Sequence, residues 1–280
     1  MQTQFELSGR QEMLRSIDLA REGLYRFLAA ALRDPRDQVA ALARDPESQA
    51  LAVAAADLLR TEAGGQAIRR GLGELPADLL TLSPMLQMRQ DSLDDLGAEY
   101  DRVFGLITVK ECPPYETEFH VSSEPFFRSQ QIADIAGFYR GFGLALKSPE
   151  RPDYLPFELE FIAFLLMKKR LAVEAQDVDN VEVCAAAEIS FFRDHFAWWV
   201  PAFATAVRRR AASGRYAHLA EVLAALIPLE RQRLGVDTTS VPAQPTVIEQ
   251  PDEDPLGCAG CAATAPSPGV CGTGAPNERS

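Results

Sequence analysis

The densest run of residues able to do chemistry lies between positions 99 and 127. There Glu99, Asp101, Glu111, Glu116, Glu118 and Glu124 stand beside Tyr115, Phe119, Phe126 and Phe127. Carboxylates accept guanidinium groups bidentately with charge assistance, and neighbouring aromatic rings add apolar contact. For any single carboxylate the plain alternative is a solvated acidic face, and for Phe104 and Phe161 it is core packing. A second cluster is Cys258-Ala259-Gly260-Cys261 with Cys271 beyond it. Two thiolates at this spacing reach one zinc ion or iron–sulfur cluster. Three cysteines leave a tetrahedral site one ligand short, to be completed by Cys112, Cys184, a histidine or another chain. Incidental thiols or a redox-labile disulfide are the plain reading.

Catalytic patterns are scarce. The chain has no Gly-x-Ser-x-Gly, His-Glu-x-x-His, Walker loop or strand-borne Gly-x-Gly-x-x-Gly. Its histidines, His120, His195 and His218, are scattered. His195 sits with Phe196 and Trp198 on an apolar helix and reads as a hydrogen-bonded packing residue. Asp194 would point about 100° away from it, so the two form no dyad. Glu158 and Glu160 fall on opposite sides of a helix, whereas Asp153 and Glu158 lie near its start, where negative charge suits the helix dipole. The expectation is a binding protein without catalytic activity.

The elements that must position these residues are helical. Leu14, Ile17, Leu24, Leu28 and Leu32 recur at helical steps until Asp34-Pro35 stops the run. Ser83-Pro84 reads as an N-cap with proline at N1, opening a helix through Tyr100 and Phe104. Further helices are predicted over Phe126–Leu144, Leu155–Ala175 and Tyr216–Leu234, the second being the most apolar and central, the third kinked or stopped at Pro228. Val181–Arg210 reads as one long helix bent or broken at Pro201. A short strand around Leu106–Val109 is compatible with the pattern. Between Phe104 and Phe126 lies a long loop whose Cys112-Pro113-Pro114-Tyr115 must be extended, because each proline pushes its predecessor out of the α region. Loops of this length in a helical domain are uncommon and usually functional or mobile, the plain alternative being a crossover between two halves of a bundle.

Composition changes once, near Gly235. Residues 236–280 hold seven prolines, five glycines and three cysteines but no aromatic residue, too little apolar surface to offset chain ordering. The expected organisation is an all-α helical-bundle domain over 1–235 and a disordered tail over 236–280. The net charge of −12 and pI near 4.8 argue against nucleic acid, which is gripped by Lys and Arg. The longest large-apolar run, Phe161–Met167, is far short of a membrane span. The polar start, Met1 to Arg10, has no signal-peptide core, and the odd cysteine count suits a reduced, cytoplasmic setting.

Glu99-Tyr100-Asp101-Arg102-Val103-Phe104-Gly105, followed by Pro113-Pro114-Tyr115-Glu116, resembles the paired signature of the TorD/DmsD/NarJ family of redox-enzyme maturation chaperones. Three further stretches are similar to its pattern: Gln131–Tyr139 with Gly143-Leu144, Arg151–Tyr154 through Glu158–Phe161, and Phe192–His195 with Trp198 and Phe203. The likeness runs from about Arg10 to Leu234. Where the family often has Asp-His, this chain has Asp153-Tyr154, so that histidine's role does not carry over. The cysteine tail lies outside the family pattern.

The resemblance implies a helical domain that binds the twin-arginine signal peptide, and sometimes the body, of a molybdopterin-containing oxidoreductase subunit. It would hold this client in the cytoplasm until cofactor insertion. The residues expected to bind the client peptide are Glu99, Tyr100, Phe104, Pro113, Pro114, Tyr115, Glu116, Glu118, Asp153 and Glu158. No cofactor is required by this reading, and the chain would act as a monomer or dimer. The alternative is a metal-carrying accessory protein using Cys258, Cys261 and Cys271. On that alternative, purified protein contains near-stoichiometric zinc or iron, and the double change Cys258→Ser, Cys261→Ser removes it. Elemental analysis decides, and metal-free protein with freely alkylated thiols leaves only the incidental reading.

Overall fold

The computed structural model describes residues 2–84, 92–105, 111–120 and 124–237, with side chains from Glu12 onward apart from Gly9. The expected strand at Leu106–Val109, the tail beyond Asp237 and its three cysteines lie outside these residues. Among the described residues the chain is all-α. Eight helices follow one another: α1 (Gln2–Ala31), α2 (Pro46–Glu62), α3 (Leu93–Phe104), α4 (Pro125–Gly141), α5 (Leu155–Glu174), α6 (Val178–Phe191), α7 (Val200–Ala211) and α8 (Arg215–Leu234). The only extended pairing among the described residues is an isolated antiparallel bridge between Tyr115 and Tyr154.

The helix α1 packs along α5 and α2, α5 against α6, and α7 against α8. The most enclosed helix is α8, buried almost continuously from Arg215 to Arg231, rather than α5, whose burial is concentrated between Leu155 and Leu166. The interior proline of α8 neither stops nor leaves it short of partners. Pro228 cannot donate to Ala224 O four residues back, and that carbonyl instead accepts Leu75 N–H at 2.9 Å. A loop passing over the helix thus satisfies the group that proline orphans. Gly73 lets this loop approach, since at φ +80° a Cβ would lie 2.8 Å from Pro201 O.

Two other boundaries differ from the sequence expectation. The helix before the long loop opens at Leu93, not at Ser83-Pro84. Ser92 and Asp95 form a reciprocal capping box there, and the intervening residues 85–91 lie outside the described part. Residues 181–210 are broken as the proline suggests, but ahead of Pro201 and not at it. The helix α6 passes into a π-turn over Phe192–Phe196, closed by Ala197 N–H donating to Phe192 O at 2.8 Å. The chain restarts at Val200 with Pro201 in the first turn, where its missing N–H costs nothing. Residues 46–62, alanine-rich and without a strong apolar stripe, form α2, which periodicity does not mark.

A buried charge cluster ties the bundle together. Arg21 of α1 is 1% exposed and donates to both oxygens of Glu230 on α8, to Glu188 on α6 and to Asp18. Tyr25 O–H donates to Glu230 at 3.0 Å, and Lys169 of α5 reaches Glu188 at 2.9 Å. Removing one partner of such a cluster leaves an uncompensated buried charge. Arg21→Met should lower stability by roughly 3–5 kcal/mol in chemical denaturation. A loss below about 1 kcal/mol would show that the cluster does not hold α1 to α6 and α8.

Candidate functional site

The proline loop is held to the start of α5 by backbone and carboxylate together. Pro114 has no N–H but its carbonyl accepts Leu155 N–H at 2.9 Å, and Glu116 N–H donates to Asp153 O at 3.0 Å. These two bonds fix the bridge between Tyr115 and Tyr154. The chain then tightens into a 3₁₀ turn over Glu116–Phe119 whose own N-cap, Tyr115, supplies no side-chain acceptor. Asp153 performs that service from across the bridge, accepting from Thr117 N–H at 3.1 Å and Thr117 Oγ1 at 2.8 Å. Arg151 closes the arrangement, donating to both Asp153 oxygens at 2.9 and 2.6 Å and to Glu118 at 2.9 Å.

Beneath the loop three carboxylates, Glu116, Asp153 and Glu158, are fully buried. His195 on the π-turn and Trp198 just beyond it bring partners to the first of them. Trp198 Nε1 donates to Glu116 Oε1 at 3.1 Å, and His195 Nδ1 lies 3.2 Å from Glu116 Oε2. Burial alone would lower the His195 pKa, but Glu116 and then Asp134, 3.2 Å from Nε2, raise it above the ordinary value. Glu158 is less well served, since neither of its oxygens makes a well-formed hydrogen bond. Burial, then the charges of Glu116 and Asp153, push its pKa well above the usual carboxylate range, with Trp199 countering only in part.

Outside this buried layer lies a cavity of about 630 Å³. Tyr100, Phe104, Pro114, Tyr115 and Tyr154 line it, with Asp34, Asp37, Asp101 and Glu150 as its carboxylates and Arg33 and Arg36 as its cations. The rings are mutually packed: Tyr115 and Tyr154 centroids stand 5.4 Å apart, Tyr100 and Phe104 4.9 Å. Tyr115 O–H donates to Glu150 at 2.6 Å, while Arg151 lies 4.5 Å over the Tyr115 ring. An arrangement of this kind stacks and pairs with planar cations.

The ten residues singled out from sequence therefore part into groups. Tyr100, Phe104, Pro114 and Tyr115 converge on the cavity. Glu116, Asp153 and Glu158 lie buried below it, not on a solvated face, and Pro113 is buried beside them in sequence. Glu118 is half-buried and paired with Arg151 and Arg128. Glu99 faces a different depression, beside Ser213 and Gly214. Cys112 and Cys184 are buried; Cys112 Sγ–H donates to Val103 O at 3.3 Å and burial pushes its thiol up to about 11. Asp34, Arg36 and Glu150 carry no local signal for their part in the cavity, and Tyr154 is marked only through the Arg151–Tyr154 stretch. Asp34 marks only the end of α1.

The sequence model of the nitrate reductase delta subunit family matches residues 66–205, and the chain belongs to that family. The match spans the cavity's α3 and proline-loop residues and the whole buried layer. Among similar proteins, the selenate reductase assembly chaperone protein of Thauera selenatis is 34% identical over 108 residues, 37% of this chain and 53% of the relative. The nitrate reductase molybdenum cofactor assembly chaperone NarJ of Escherichia coli is 33% identical over 94 residues, 34% and 35% of the two chains. The chaperone protein TorD of Vibrio cholerae is 25% identical over 183 residues, 63% and 79%. The chain spans about half the length of the selenate reductase relative.

Glu158 makes the buried layer sensitive to pH. Its folded pKa lies above the unfolded value, so the folded chain holds a proton that the unfolded chain has released. Stability from this group falls as pH rises above the ordinary glutamate range. Glu158→Gln removes the titration and should melt a few degrees higher than wild type at pH 8, with the gap closing toward pH 4.5. Equal melting curves across that range would show that Glu158 is not strained by its surroundings.

Proposed function

We propose that this protein is a cytoplasmic assembly chaperone for a molybdopterin-containing oxidoreductase subunit, and that the aromatic cavity receives the arginines of the client's twin-arginine leader. The observation carrying this reading is the convergence of Tyr100, Phe104, Pro114 and Tyr115 with Tyr154 on one cavity edged by Asp34, Asp101 and Glu150. Family membership and the names of the relatives supply the client class. A guanidinium stacks on tyrosine and pairs with a carboxylate, and this cavity offers both within one opening.

A second opening suits the leader's apolar segment. The α4–α5 connection, whose residues Ser148–Glu150 edge the cavity, begins at Phe142, which lines a groove of about 780 Å³ between α4, α5 and α6. Phe138, Phe142, Leu171 and Val183 supply its apolar wall. Gly137 and Gly141 keep its α4 side open, since a Cβ at either would meet nothing within 4 Å. A helical segment can lay its apolar face into a groove of this kind. No helix among the described residues is long and apolar enough to cross a membrane.

Titration of a synthetic twin-arginine leader at two ionic strengths tests this. Tyr115→Ala should weaken binding about tenfold or more, mainly through faster dissociation. Glu150→Gln should weaken it less and flatten the salt dependence, because a screened Coulomb attraction is removed. Gly141→Leu should obstruct the groove and weaken only peptides that keep the apolar segment. Unchanged affinity in all three variants would place the leader elsewhere, and no binding of leader or client by folded wild type would overturn the chaperone reading.

A further inference from the structure

The cavity already contains a guanidinium, supplied by the chain itself. Arg36 follows the end of α1, on the Asp34-Pro35-Arg36-Asp37 turn, and its side chain is 46% exposed. Its Nε and Nη2 donate to the two oxygens of Asp34 at 2.7 and 2.8 Å, and its Nη1 and Nη2 to the two oxygens of Asp101 at 3.1 and 2.6 Å. Both carboxylates line the same cavity as Tyr100 and Tyr115. Gly97 on α3 leaves the Arg36 stem and guanidinium lying across the helix at van der Waals distance, about 3.7 Å from where a Cβ would stand.

We propose that Arg36 is an internal competitor for the client's arginine: it occupies the Asp34–Asp101 clasp and must swing out before a ligand guanidinium can enter. This rests on the leader reading of the same cavity, and it assigns the regulation of that site to a residue of the chain. Three observations favour a displaceable occupant over a structural tie. The Arg36 side chain is not part of the hydrophobic core and its guanidinium is half in solvent, where ion pairs are weak and screened. Asp34 does not depend on that guanidinium for its orientation, because its Oδ1 also accepts the Arg36 backbone N–H at 2.9 Å. Asp101 sits on α3, an element capped independently by Ser92 and Asp95. With Arg36 swung away, two carboxylates remain in place with the spacing of a planar, forked cation. An ammonium cannot satisfy both bidentately, so the clasp prefers arginine to lysine. The exchange of one guanidinium for another leaves the charge of the cavity unchanged, which keeps affinity moderate and lets a client be released.

The experiment uses the full chain as wild type, Arg36→Ala, Arg36→Lys and Tyr115→Ala, with two probes: the twin-arginine leader peptide and argininamide alone. Arg36→Ala should bind both probes about threefold to tenfold more tightly than wild type, the scale of losing an exposed ion-pair network. Its salt dependence should steepen, because the ligand then neutralises uncompensated carboxylates. Arg36→Lys should fall between, and a leader with both arginines changed to lysine should gain little from either variant. If Arg36→Ala binds argininamide no better than wild type, the competitor proposal is overturned, whatever the leader does. If Arg36→Ala gains argininamide affinity while no variant binds the leader, the clasp stands and the leader reading fails. If Arg36→Ala loses leader affinity as Tyr115→Ala does, Arg36 is part of the binding surface and the proposal is wrong.

Discussion

Asp153 is the hinge on which the site turns. It is a fully buried carboxylate with four hydrogen bonds, two from Thr117 and two from Arg151. A buried anion without such partners would be expelled or protonated. With them, it joins two segments that have few other reasons to meet: a proline loop that cannot form helix and the residue pair before α5. Tyr115 and Tyr154 face each other because this carboxylate and the adjacent backbone bonds set their register. The cavity's aromatic floor is a consequence of that register.

Satisfying Asp153 displaces the electrostatic cost onto its neighbours. Glu116 is answered by His195 on the π-turn and by Trp198 between that turn and Pro201. Glu158 receives little, and its elevated pKa is the residue of an acidic layer built for geometry more than for stability. Elsewhere the bundle handles buried charge differently. Arg21, Lys169 and Arg233 stand among Glu230, Glu188 and Asp18, so cations and anions offset each other within one cluster. The contrast between the two clusters, one balanced and one strained, separates what holds the helices together from what shapes the opening above them.

The charged groups around the cavity are arranged in nested pairs. Arg151 covers one face of Tyr115 and holds the loop from below, whereas Arg36 covers the carboxylates from above and is open to water. Both side chains are partly exposed, and the burial of the partner carboxylate is what sets them apart. An exposed guanidinium loses little when a competitor replaces it, while Arg151, bound to a buried aspartate, has no equivalent escape.

The helical class of the described chain was legible in the sequence, because periodic leucines, capping residues and prolines act locally and leave their mark within a few positions. The stop after Leu32, the extended Cys112–Tyr115 stretch and the starts of α4 and α5 all follow from such local rules. Tyr100, Phe104, Pro114 and Tyr115 were picked out by their motifs together with six other residues, and the packed chain brings these four to one cavity. What tertiary structure alone decided were partnerships between segments far apart in the chain. Ala224 O finds Leu75 N–H, so Pro228 is carried inside α8 without ending it. Glu116 meets His195 and Trp198 across some 80 positions and turns from a surface acid into a buried one. Asp34 and Asp101 meet through Arg36, and Glu99, two positions from Asp101, faces away because a helix turns about 100° per residue. Sequence encodes which groups can pair; only the packed chain, by excluding water from some and not from others, selects which of them do.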